Sequence, residues 1–96
     1  MVGTNGEVYE LCYGVKRLEM AEAAIKKSVM QAFDGTPTIR ELCTVAAYGM
    51  KASGGGWISP AQGIEVAERA IEEGGFMTFY KEVTDALQRD CGFLFR

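Results

Sequence analysis

The chain has 96 residues, enough for one domain with a thin core, and at 48% apolar and 24% charged it is not the composition of a disordered protein. Ten Lys and Arg against thirteen Asp and Glu leave a net charge of −3, which argues against nucleic-acid binding, where a basic face must displace counterions from phosphates. There is no histidine, Cys12, Cys43 and Cys91 form no CxxC pair, and no apolar run nears the ~20 residues that span a bilayer, so neither a zinc site nor a membrane span is expected.

Residues 1–6 read as a loose start. They lack the charged and apolar regions of a secretory signal, and no glycine directly follows Met1 to be myristoylated. With the odd cysteine count, this points to a reducing compartment in which the thiols are small, buried apolar groups. Residues 7–13 place Tyr9, Leu11 and Tyr13 at period two and predict a short strand, the alternative being an extension of the first helix. A lone strand leaves open edges, so it must pair within the chain or with a neighbouring molecule.

The first helix is expected over residues 15–30, with Val15, Leu18, Ala21, Ile25 and Val29 at helical spacing and Glu22–Lys26 as an exposed pair. Lys16-Arg17 and Lys26-Lys27 read as solvated positions, and Asp34-Gly35 marks a turn. The second helix opens on a capping box: Thr38 caps, Glu41 reaches back, and Pro37 bars extension upstream. Its stripe is Ile39, Leu42, Cys43, Ala46 and Met50, with Gly49 expected to let another helix come close.

Residues 52–58 lack the patterns of a phosphate-binding loop and read as a flexible inter-helix connector, with Trp57 and Ile58 packing at the start of the next helix. In the third helix Ser59 caps, Pro60 takes the first position and Gln62 completes the box, while Ile64, Ala67 and Ile71 face inward. Glu65, Glu68, Glu72 and Glu73 form a solvated acidic face, and Gly74-Gly75 ends the helix with Gly74 expected in the left-handed position. The fourth helix is expected over residues 76–91, with Phe76, Tyr80, Val83 and Leu87 on one face, Met77 and Phe79 widening it, and Asp85–Arg89 as an exposed pair. Phe93, Leu94 and Phe95 close the chain and either tuck into the core or meet a partner.

Catalysis needs a nucleophile with a base, paired acids in a cleft, or a metal. The commonest general base is absent, Cys43 and Cys91 fall on apolar faces that disfavour thiolate, and the carboxylates fall on solvated faces. No motif supports an enzyme, and no cofactor is expected. What remains is surface recognition. Trp57, Met77, Phe79, Phe93, Leu94 and Phe95 are the candidate partner-binding residues, because aromatic and Met side chains dominate interface energetics, with completion of the core as the alternative for several of them. The expected fold is mainly α: one small four-helix domain over residues 7–92, with a short N-terminal β-strand or hairpin and an apolar tail at 93–96.

The order of these elements carries a resemblance. A strand leads into LCYGVKRLEMAEAAI, then GTPTIRELCTVAAYGMKASGGGWISPAQGIEVAERAIEEGGF, then the amphipathic FMTFYKEVTDALQ. This resembles the phage tail assembly chaperone family of long-tailed phages and gene transfer agents over residues 7–91. Residues 38–42, Gly49-Met50-Lys51 and the Ser59-Pro60 helix start carry most of it. The resemblance implies a non-catalytic protein that coats the tape measure protein, recruits tail tube subunits around it, self-associates, and leaves before the tail is complete. It implies the cytoplasm of an infected or lysogenic bacterial host, absence from the mature particle, and, as is common in such families, a longer frameshifted form. The alternative is a small helical regulatory or adaptor domain acting on a host protein.

Overall fold

The computed structural model describes residues 9–52 and 55–95, the Phe95 side chain excepted; residues 1–6 and the first two positions of the expected strand lie outside that set. Strand β1 (Tyr9–Leu11) leads into α1 (Val15–Ile25), a single turn α2 (Val29–Ala32), α3 (Ile39–Tyr48), strand β2 (Met50–Ala52), α4 (Pro60–Gly74), α5 (Phe76–Asp90) and a closing 3-10 turn (Gly92–Phe95). Four long helices with a small antiparallel sheet match the mainly-α architecture expected, with the turn α2 added.

The strand finds its partner inside the chain. β1 runs antiparallel to β2 with Tyr9 opposite Ala52, Glu10 opposite Lys51 and Leu11 opposite Met50, and the Cys12 N–H donates to the Gly49 carbonyl at 2.7 Å. Of the stretch expected as a loose connector, residues 53–54 lie outside the described set, and residues 55–58 fold back on β2. Gly55 N–H donates to Ala52 O (2.9 Å), Ala52 N–H to Gly56 O (3.1 Å) and Ile58 N–H to Met50 O (3.3 Å), which brings Trp57 beside Lys51.

The first helix stops earlier than its periodicity suggested. Lys26 adopts left-handed φ 62° as its C-cap, donating to Glu22 O at 2.8 Å. Glu22 therefore pairs with no lysine: its Oε2 accepts the Val29 N–H at 2.8 Å, while Ser28 Oγ accepts the Gln31 N–H at 3.0 Å. A cap is worth about 1 kcal/mol against roughly 0.2–0.5 for an exposed i,i+4 pair, so a new helix start at Ser28 outweighs continuation.

The start of α3 follows expectation. Thr38 Oγ1 accepts the Glu41 N–H at 3.1 Å and Glu41 Oε1 accepts the Thr38 N–H at 2.9 Å. Helix α3 is the hub, packed against α1, α4 and α5, with Leu42, Cys43, Val45, Ala46 and Ala47 fully buried. Ile39 and Val15, expected in apolar stripes, are exposed; each is the first residue of its helix. The space at Gly49 admits no helix. It holds the ring of Tyr13, whose Cζ lies 2.3 Å from where a Cβ would stand and whose hydroxyl donates to Val45 O at 2.9 Å. The close helix approach is at Gly63 of α4, where an added Cβ would lie 2.7 Å from Ala47 Cβ and 2.8 Å from its Cα. Between α4 and α5, Gly75 rather than Gly74 takes positive φ (93°), while Gly74 stays helical.

The end of helix α5 also reaches the outer edge of β1 through Arg89 and Asp90. Asp85 pairs with Lys81 at 2.7 Å, not with Arg89. Arg89 instead grips Asp90 through Nε and Nη2, both at 2.8 Å, and its Nη2 also donates to the Leu11 carbonyl. Asp90 Oδ2 accepts the Tyr13 N–H at 3.0 Å. This clasp occupies backbone groups that an edge strand would otherwise offer to another chain.

Arg89 first, and the Tyr13 N–H second, hold the Asp90 carboxyl below the usual carboxylate range against the opposing effect of burial. A depressed folded pKa means stability that is present above the unfolded value and lost as pH falls through the folded one. Asp90→Asn is expected to cost about 1–2 kcal/mol at neutral pH, with the gap to the parent chain closing in acid, as urea melts would show. A gap that stays constant with pH would mean that the Asp90 charge does not hold the clasp.

Candidate functional site

The residues that bound an apolar hollow come from α2, the Phe33-Asp34 turn after it, and α5. Ser28 and Glu22 cap α2, which sends Val29 and Ala32 inward and leaves Met30 46% exposed. Phe33 follows as the helix ends. On α5, Tyr80, Thr84 and Leu87 recur at spacings of three to four, so they share one face. Between the two helices lies a groove of about 630 Å³ with Val29, Met30, Phe33, Tyr80, Thr84 and Leu87 in its lining.

Aromatic rings organise one side of it. Phe33 and Tyr80 stack with centroids 5.7 Å apart and planes inclined at 23°, and Tyr80 stacks in turn on Phe76 at 6.2 Å and 9°. Such ring contacts are worth about 0.5–1.5 kcal/mol each beyond area burial, so the wall is firm. Met77 lies three residues before Tyr80 on α5 and is 67% exposed. Within the groove one adaptable thioether, Met30, accompanies the stacked rings of Phe33 and Tyr80, a combination suited to apolar recognition.

The chemistry of the groove is that of burial. Its lining includes one carboxylate, Asp34, and no cation. The buried thiols lie elsewhere and are far from activation: burial pushes Cys43 up to about 11, with Glu68 adding to it and Arg40 opposing, and burial raises Cys91 too. Burial likewise drives the Tyr13 hydroxyl upward. Among the described residues, no three His, Cys, Asp or Glu side chains cluster as a metal would need. No helix among the described residues is long and apolar enough to cross a membrane.

The six residues singled out from the sequence do not form one surface. Met77 lies on α5 before Tyr80 and is not in the groove lining. Trp57, 43% exposed, sits on the return beside β2. Phe79 is 2% exposed and belongs to the core, because it shares the inward face of α5 with Val83, Ala86 and Leu87; it is removed from the candidate set. The chain end divides: Leu94 packs against the core, Phe93 is 45% exposed, and the Phe95 side chain lies outside the described residues. Met30 and Phe33 were missed. The signal for them was Ser28-Val29-Met30-Gln31, an S-x-x-Q sequence whose Ser28 side chain caps the Gln31 N–H, starts a second helix and so breaks the register of the first.

No protein-family model matches the chain, and no curated protein or solved structure compared with it is significantly similar.

Proposed function

We propose that this protein is a non-catalytic tail assembly chaperone, which binds the apolar helix of a tape measure protein, helps recruit tail tube subunits, and self-associates. The observation that carries the reading is the groove between α2 and α5. A helix docks into such a groove through apolar anchors at i, i+3, i+4 and i+7. From Tyr80 to Leu87 the wall runs about 10 Å, room for roughly two turns of a bound helix. Phe33, Tyr80 and Met30 offer apolar area with little charge to desolvate, as a client of low polarity requires. The sequence resemblance suggests the client, and the apolar lining of the groove supports the reading.

Co-expression tests the reading. A tape measure fragment that precipitates by itself should stay in solution with this protein and co-elute with it, and tube subunits should join the complex. A fragment that precipitates equally with and without the protein, together with no retention of tube subunits, would remove the proposal.

A further inference from the structure

Away from the groove, two cations converge on the chain's one tryptophan. Arg17 Cζ lies 4.2 Å from the Trp57 ring centroid and Lys51 Nζ lies 5.1 Å from it. Arg17 is held in place: its Nε donates to the Tyr48 carbonyl at 2.6 Å, and its Cζ lies 5.7 Å from the Tyr48 ring. Two like charges sharing one ring repel each other, and the ring quadrupole offsets only part of that cost.

Among the described residues, no carboxylate forms an ion pair with either of them. The ion pairs among the described residues use Lys16, Lys27, Lys81 and Arg89, and neither Arg17 nor Lys51. Glu10 stands opposite Lys51 in the ladder yet makes no ion pair with it; its field acts on Arg89 instead. In a chain of net charge −3, this is a local positive site with an exposed apolar face, Trp57, at its centre.

We infer that Arg17, Lys51 and Trp57 form a second recognition surface, which docks an acidic segment of a partner protein. The guanidinium is fixed through Nε, and its Nη1 makes a weak, exposed contact to Met20 Sδ at 3.7 Å that a carboxylate would displace as the stronger acceptor. Lys51 supplies a second charge, and Trp57 supplies apolar area beside both. A nucleic-acid strand would need a longer basic track than two residues on an acidic chain. None of the three residues lines the α2–α5 groove, so the inference stands apart from the proposed chaperone role.

Because Trp57 is the sole tryptophan, its emission reports the site directly. Titration of the full chain with hexaglutamate should change that emission saturably, and added salt should weaken the binding. Lys51→Gln and Arg17→Gln should each raise the apparent Kd at least tenfold, whereas Lys26→Gln, at the far end of α1, should not change it. Circular dichroism checks folding, and the Lys51 variant keeps the test valid should Arg17→Gln unfold. No saturable response to hexaglutamate, equal weakening by Lys26→Gln, or tighter binding of oligothymidylate would each overturn the inference.

Discussion

Replacing Gly63 by alanine is expected to destabilise the fold by about 1–3 kcal/mol, the usual cost of forcing volume into a packed contact. The added methyl would meet Ala47 Cβ at 2.7 Å and Cα at 2.8 Å. The second of these is backbone, so no side-chain rotation relieves the clash and α3 and α4 must part. These two helices share the principal contact of the core, where Val66 and Ala67 also pack. For a domain of this size the loss corresponds to a melting temperature lower by roughly 5–20 °C. Gly74→Ala is the matched control. It is helical, its added Cβ meets nothing within 4 Å, and alanine is the better helix former, so no loss is expected. Equal melting temperatures for the Gly63 variant and the parent chain would refute the close crossing.

Met30→Glu is expected to weaken capture of an apolar helix at least tenfold while leaving the melting temperature nearly unchanged. Met30 is half exposed, so a charge there costs the free protein little, within roughly 0.5 kcal/mol. In a complex the same carboxylate would be buried against an apolar helix without a partner, which costs several kcal/mol. Ile39→Glu serves as the comparison, because Ile39 is also an exposed apolar residue but does not line the groove. Pull-down or titration with a tape measure fragment, with thermal melts in parallel, separates the outcomes. Equal weakening by both variants would place the binding surface elsewhere.

The helix starts were legible because their causes are local. Thr38 with Glu41, and Ser59 with Gln62, act over three residues, so the sequence window contains the whole interaction. The same signature at Ser28 was equally local and was hidden by Val29, which fits the helical spacing of α1 while opening α2. Charge pairing was the least legible feature. Glu22–Lys26 and Asp85–Arg89 have ideal spacing, yet the backbone at Val29 and at Leu11 captured Glu22 and Arg89. Exposed pairs contribute only a few tenths of a kcal/mol, so any partly buried backbone partner wins over them.

By itself, then, the sequence determined the mainly helical character, where α3 and α4 begin, and the absence of histidine from any chemistry. Only the tertiary structure decided that β1 pairs with β2, some forty positions downstream, that Phe79 turns inward, and that Phe33 of one segment stacks on Tyr80 of another to wall a groove. It also decided that Arg17, Lys51 and Trp57 share one spot. The physical reason is range. Caps and periodicity are written within four residues, whereas pairing, burial and grooves depend on which surfaces meet once the chain has closed its long loops.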